Sequence, residues 1–290
     1  LGDPSNPLLV SVRSGAAISM PGMMDTILDL GIGQEVADGI ARSTGNERFA
    51  LDLYRRFVQM FGNVTMGIDL QSFEEVMEQQ QRIAGVGRSA DLSPDSLRTI
   101  VAAFKEIVRE SSGQDVPEDP LVQLDRSVRA VFESWNSRRA VAYRTHHRIP
   151  HDLGTAVNIV AMVYGNIDDN SCTGVLFTRS PSTGERVLFG EYLFNAQGED
   201  LVSGMATPRD ISGLAEEMPD IYDELVRTAD KLERHYRDTQ DVEFTVQQGK
   251  LHILQTRTGK RSARAAVAIA VDMAEEGLIT REEALLRVEP

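Results

Sequence analysis

Two carboxylates, an amide and a guanidinium recur at strand spacing near the end of this chain, in QDVEFTVQQGKLHILQTR, residues 240–257. Asp241 and Glu243 alternate with Val242, Phe244 and Val246. An apolar set facing a core turns both acids to the other side. Gln255 and Arg257 stand near the end of the return strand. Their face depends on turn parity. A three-residue loop, Gln247-Gln248-Gly249 with Gly249 at positive φ, puts them on the face of Asp241 and Glu243. A two-residue Gln248-Gly249 turn puts them on the opposite face. We expect the three-residue loop. Two carboxylates and an amide oxygen then form an oxygen-rich pocket suited to Mg²⁺, which takes one or two carboxylates with phosphate oxygens and water. Arg257 beside it suits a phosphate. The plainer alternative is a surface hairpin with a cross-strand Asp–Arg pair.

Two further stretches carry chemistry. In NAQGEDLVSG, residues 195–204, Gly198 and Gly204 flank Glu199. This is a turn with an exposed acid, or a third acidic group aimed at the same metal. VSVRSGAAISMPGMMDTILDLG, residues 10–31, follows a short strand expected at 8–12. It is longer than a simple connector of about two to six residues. As a flexible phosphate lid, Gly15, Ala16 and Ala17 let backbone N–H groups approach phosphate oxygens, Ser14 and Ser19 add hydroxyls, and Arg13 supplies fixed charge. The alternative is a long turn before a helix. Neither a GxxxxGK[ST] nor a GxGxxG pattern occurs here.

The elements that must position these residues are grouped by type. Asp25 to Leu30 reads as helix, and residues 34–112 as almost pure helix. Phe49, Leu53, Phe57 and Met60 keep helical spacing, as do Leu97, Ile100, Val101, Phe104, Ile107 and Val108. Ser93-Pro94-Asp95 opens the second of these helices with an N-cap, a first-turn proline and an acid. Another helix is expected over 121–137 with Val128, Val131, Phe132 and Trp135 inward. RRAVAYRTHHRIPHD, residues 138–152, is a basic stretch expected as a solvated loop with ion pairs, the alternative being contact with an anionic ligand or partner domain. Its histidines lack metal-ligand spacing. From residue 155 short β-rich runs take over, interrupted by one helix at about 214–237. Helix returns at 262–276, and Thr280-Arg281-Glu282-Glu283 is a capping-box pattern. Grouped helices with antiparallel strands indicate an α+β fold.

Composition excludes several classes. The 290 residues carry a formal charge of −14, which argues against a nucleic-acid binder and requires any anion site to be local. No run of apolar residues is long enough for a membrane span, and LGDPSNPLL lacks the basic start of a signal peptide. The lone Cys172 fits a reducing cytoplasm.

Four blocks, VSVRSGAAISMPGMMDTILDLG, TGVLFTRSPSTGE, GEYLFNAQGEDLVSG and QDVEFTVQQGKLHILQTRTGKR, resemble the pyruvate, phosphate dikinases in the same order, and the resemblance covers nearly the whole chain. It implies an ATP-grasp-like nucleotide-binding domain with a helical insert. Residues 1–33 and 118–163 would belong to the first lobe and 34–117 to the insert. Residues 164–260 would form the second lobe with its metal-binding hairpin, and 261–290 a helical linker toward a phosphohistidine domain. The resemblance implies that Arg13, Ser14, Gly15, Ser19, Gly22, Glu199, Asp241, Glu243, Gln255 and Arg257 contact ATP. Asp241, Glu243 and Gln255 would hold Mg²⁺, and Arg13 and Arg257 would act at the transferring phosphates. In that family, ATP becomes AMP as its pyrophosphoryl group passes to a histidine on a swivelling domain. Inorganic phosphate takes one phosphoryl, and a pyruvate-binding domain uses the other to make phosphoenolpyruvate, in a homodimeric enzyme. Phosphoenolpyruvate synthase, a dikinase for another acceptor, or an inactive interaction module are the competing readings.

The departures are specific. The family's GGKG-type segment with its nucleotide-contacting lysine has no counterpart, so the chain reads as a fragment that is inactive alone. Ala16, Ala17 and Ile18 stand where family members often carry an Arg. None of His146, His147, His151, His235 or His252 matches the acceptor histidine.

Overall fold

The computed structural model describes residues 1–202 and 207–288, so Gly204 of the expected acidic turn lies outside the described residues. The chain divides into two compact units, Leu1–Met162 and Val163–Pro290.

The first unit contains β1 (Val10–Gly15), β2 (Thr26–Leu30), α1 (Gln34–Thr44), α2 (Glu47–Met60), α3 (Leu70–Ala84), α4 (Pro94–Ser112), α5 (Pro120–Ser134), α6 (Arg138–His146) and β3 (Ala156–Ala161). The strands form an antiparallel sheet in the order β2–β1–β3. The helical period of 34–112 holds: Phe49, Leu53 and Phe57 are buried, as are Leu97, Ile100, Val101, Phe104 and Val108. Ser93 caps α4 as its type and place require, its hydroxyl accepting from the Ser96 N–H at 3.2 Å. Within α2, buried Asp52 accepts from Arg55 at 2.7 Å and Arg56 at 3.0 Å.

Four expectations for this unit are corrected. Residues 26–30 are a strand, since Val12 pairs with Ile27 and Arg13 with Thr26. The register shifts between Val10 and Val12, and Asp29, on the strand facing that shift, has φ 59°. Tertiary pairing thus overrides a local pattern compatible with helix. β1 also runs past Val12, so Arg13, Ser14 and Gly15 are strand residues rather than lid residues, opposite Asn158, Val157 and Ala156. Phe132 points outward, 48% exposed, while α5 buries Gln123, Ser127, Val131 and Ser134. Gln123 is stable inside because it is saturated. Its amide donates to the Ile32 and Pro117 carbonyls at 3.0 and 2.7 Å, and its oxygen accepts from Gly31 N–H at 2.9 Å. Finally, the basic stretch begins as helix α6, not as a solvated loop, and its Arg144 is 1% exposed. Arg144 stacks on Trp135 at 4.0 Å and donates to the Trp135 carbonyl at 2.6 Å.

The second unit contains β4 (Cys172–Phe177), β5 (Phe189–Phe194), α7 (Gly198–Val202), β6 (Arg209–Asp210), α8 (Leu214–Glu217), α9 (Pro219–Tyr236), β7 (Gln240–Gln247), β8 (Lys250–Thr258), α10 (Ala263–Glu275) and α11 (Arg281–Leu286). The sheet order is β6–β5–β4–β7–β8, with every pairing antiparallel. One face packs Cys172, Leu176, Tyr192, Val242, Phe244 and Val246 against Ile211, Leu214, Ile221 and Leu225. Gly174 is required there, because a Cβ would lie 2.4 Å from the Phe244 ring. The Thr280 capping box at α11 is formed as its sequence predicts.

Behind the sheet lies a buried ionic cluster. Arg179 is wholly buried and donates to Glu233 at 3.0 Å and to Glu276 at 2.7 Å. Thr178 donates to the same Glu233 at 2.8 Å. The residues just before β7 are tied to the C-terminal helices. Asp238 accepts from Arg261 at 2.6 Å, and Arg237 donates to the Leu278 carbonyl at 2.9 Å and to Glu283 at 2.5 Å.

Candidate functional site

The hairpin reaches the predicted pairing by a different route. Its turn has two residues, Gln248 and Gly249, both at positive φ (52° and 74°), and Gln247 pairs with Lys250. That corrects the expected three-residue loop; positive φ at both central positions is the tight hairpin turn that suits strand twist. By itself this turn would place Gln255 and Arg257 on the core face. A register shift between Glu243 and Phe244 reverses the parity: Phe244 faces Ile253, whereas Glu243 faces Gln255. Leu254 is the extra residue of this bulge, and Asp241 then faces Arg257. The physical reason is burial: a continuous register would direct an amide and a guanidinium into the apolar core.

Directly opposed residues share a face. Asp241, Glu243, Gln255 and Arg257 therefore lie together on the sheet face away from the core. The Arg257 Nε donates to Asp241 at 2.7 Å, and its terminal nitrogen lies 3.4 Å from Glu243. The hydrogen bond to Asp241 raises the Arg257 pKa above its ordinary value. Among the described residues no group of three acidic, histidine or cysteine side chains is placed to hold a metal by itself. Two carboxylates plus an amide oxygen suit an ion that completes its shell with phosphate and water.

Glu199 stands beside Asp200 in the first turn of α7. Leu201 of that helix packs with Leu193 and Val175. Val175 pairs with Glu243, so α7 lies over the acid-bearing face. Glu191, absent from the sequence-based set, joins the same row: it opposes Val175, which opposes Glu243. The alternation in FGEYLF, with Tyr192 inward and Glu191 outward, was the available signal.

In the first unit, Arg13, Ser14 and Gly15 form the end of β1. The Arg13 Nε is buried without a hydrogen-bond partner among the described residues, and Gly15 N–H donates to the Thr155 hydroxyl at 3.2 Å. Met20, Pro21, Gly22 and Met23 then make a turn closed by Met23 N–H donating to Met20 C=O at 3.1 Å. Proline at the second position and Gly22 at φ 71° match the turn type that needs positive φ third. Met20 is buried with Trp135 and Ile149, and Arg139 donates to the Met23 carbonyl at 3.2 Å. Ala17, Ile18 and Ser19 remain exposed between these anchors. The segment is thus a pinned loop of small residues beside an arginine with an unsatisfied nitrogen.

The chain matches the family described as "Pyruvate phosphate dikinase, AMP/ATP-binding domain" over residues 2–219 and 214–278. It is 53% identical over 290 residues to pyruvate, phosphate dikinase 1, chloroplastic, of Oryza sativa subsp. japonica, covering all of this chain and 30% of that protein. It is 51% identical to pyruvate, phosphate dikinase of Clostridium symbiosum, covering 99% of this chain and 33% of that protein. Pyruvate, phosphate dikinase of Rhizobium meliloti (strain 1021) is 50% identical, with 100% and 34% covered. The chain therefore spans about a third of the length of these curated relatives. The α+β architecture agrees with the ATP-grasp type of this family. With the family match running through both units, the chain belongs to the pyruvate phosphate dikinase AMP/ATP-binding domain family.

Proposed function

We propose that this chain is the ATP- and Mg²⁺-binding part of a pyruvate, phosphate dikinase, serving the transfer of the ATP pyrophosphoryl group to a histidine on a separate domain. The observation that carries the reading is the shared face of Asp241, Glu243, Gln255 and Arg257. Asp241, Glu243 and Gln255 would hold the ion, whose contribution when bound is to neutralise phosphate charge. The donor set fits: its two acids are engaged by an arginine that a phosphate can take over.

Arg257 then binds the transferring phosphates, and Arg13 supplies a second guanidinium with an unspent donor. Ser14 adds a hydroxyl at the end of β1, Gly15 leaves room there for a phosphate to approach the backbone, Ser19 and Gly22 offer hydroxyl and backbone donors in the pinned loop that follows, and Glu199 adds an acid in the first turn of α7. These roles are positioning and charge neutralisation, which is most of what phosphoryl transfer asks of a protein. We assign residues 1–33 and 118–163 to one nucleotide-binding lobe, 164–260 to the other, and 34–117 to an insert. The 261–290 segment leads toward the phosphohistidine domain. The swivelling phosphohistidine domain and the pyruvate-binding domain are the proposed partners, in a cytoplasmic homodimeric enzyme.

Calorimetry of the chain with ATP and Mg²⁺ tests this. Binding is expected to require Mg²⁺ and to weaken about thirtyfold or more in Glu243→Ala and in Arg257→Met, the scale of one lost charged hydrogen bond. A folded chain that gives no heat at millimolar ATP, or variants that bind like the wild type, would refute it. In the full-length parent, AMP formation should depend on inorganic phosphate.

A further inference from the structure

The part of β8 that carries Gln255 and Arg257 is weakly held by its ladder alone. Among the described residues β8 is an edge strand, paired only with β7. The bulge at Leu254 interrupts that pairing just before Gln255. What remains is a short ladder of Gln240 with Thr258, Asp241 with Arg257, Val242 with Thr256, and Glu243 with Gln255. The Arg257 side chain is 41% exposed, so its ion pairs add little to the strength of the strand pairing, although its Nε–H is held by Asp241 at 2.7 Å.

On the opposite face, one side-chain hydrogen bond crosses this short ladder diagonally. The Thr256 hydroxyl donates to the Gln240 Oε1 at 2.9 Å. Gln240 is 2% exposed, and its other groups are fully engaged. Its amide nitrogen donates to the Asp238 and Thr239 carbonyls at 3.2 and 3.0 Å, and its backbone N–H donates to the Thr178 hydroxyl at 3.0 Å. Thr178 in turn donates to buried Glu233, which Arg179 holds. Thr256 sits in sequence between Gln255 and Arg257. Its hydroxyl therefore ties both to the buried interior of the unit, at a point nearer to them than the Arg261–Asp238 pair beyond the end of the strand.

We propose that Thr256, bonded to Gln240, is a positioning residue that fixes Gln255 and Arg257 against Asp241 and Glu243 for binding of a magnesium nucleoside triphosphate. The proposal rests on the reading of this face as the Mg·ATP site. It assigns Thr256 no contact with ligand, since its side chain lies on the core side of the strand. A bulged edge strand also discourages pairing with another chain, and edge protection alone would leave the hydroxyl without consequence for the site.

The test compares Thr256→Val, Thr256→Ser and Gln240→Met in the 290-residue chain. The first readout needs no nucleotide: solvent exchange of the Arg257 Nε–H, followed by ¹⁵N NMR. Thr256→Val, which keeps β-branching and loses the donor, should speed this exchange about tenfold, the scale of one net hydrogen bond. Gln240→Met, which removes the acceptor instead, should do the same, and Thr256→Ser should restore the wild-type rate. The second readout is calorimetric affinity for Mg·ATP, expected to weaken about tenfold in Thr256→Val and to recover in Thr256→Ser. Unchanged exchange in both Thr256→Val and Gln240→Met overturns the proposal, whatever the nucleotide does. So does a Thr256→Ser variant that behaves like Thr256→Val. If the wild type ignores Mg·ATP, the site reading fails on its own, and the exchange rates still decide whether Thr256 positions Arg257.

Discussion

Replacing Arg179 with methionine should destabilise the second unit far more than loss of any surface ion pair. Arg179 is wholly buried, with two contacts at 3.0 Å to Glu233 and one at 2.7 Å to Glu276. The two acids differ in what they can do afterwards. Glu276 has a side chain 27% exposed and can turn to water or to Arg186, 3.7 Å away. The Glu233 side chain is 3% exposed and, among the described residues, keeps only the Thr178 hydroxyl. A buried carboxylate stripped of its partner costs about 3–5 kcal/mol. With a urea m-value of about 2 kcal/mol/M, the midpoint should fall by roughly 2 M. Urea unfolding followed by far-ultraviolet circular dichroism measures it. Adding Glu233→Gln to Arg179→Met removes the stranded charge and should regain about half of the loss. A loss under 1 kcal/mol, or a double variant no better than Arg179→Met, would refute the stranded-charge account.

Two further outcomes test other parts of the structure. Burial alone would raise the Asp52 carboxyl, but the Arg56 and Arg55 guanidinium groups hold it well below its ordinary value. Its stabilisation is thus complete above about pH 5 and is lost as pH falls through the folded value. The stability gap between wild type and Asp52→Asn should accordingly narrow between pH 5 and 3; a constant gap would contradict the assignment. On α5, Val131→Ala should cost about 2 kcal/mol, whereas Phe132→Gln should stay within about 0.5 kcal/mol in the same urea assay.

Helical stretches of the first unit were legible because their period is local: Phe49, Leu53 and Phe57 report one face without outside help. The β-hairpin was legible from alternation, which also put Asp241 and Glu243 on the face away from the core. The turn was not, because a bulge is chosen by the cost of burying Gln255 and Arg257, a cost visible only once the core exists. Residues 26–30 were misread since a strand of five residues is defined by β1 beside it, remote from its own pattern. Phe132 was misplaced for a related reason. Gln123 goes inward to satisfy the backbone at Gly31 and Ile32, and the helix rotates accordingly.

The ties at the root of the hairpin determine how movement at the carboxyl end would be felt. Arg261, just past β8, grips Asp238, just ahead of β7, while Arg237 grips Leu278 and Glu283 near α11. A displacement of the last two helices is thus delivered to both strands at one end together. Load shared in this way carries the hairpin along as a single lever. A load on β8 alone would instead open the ladder like a zipper, from Thr258 toward Asp241 and Arg257.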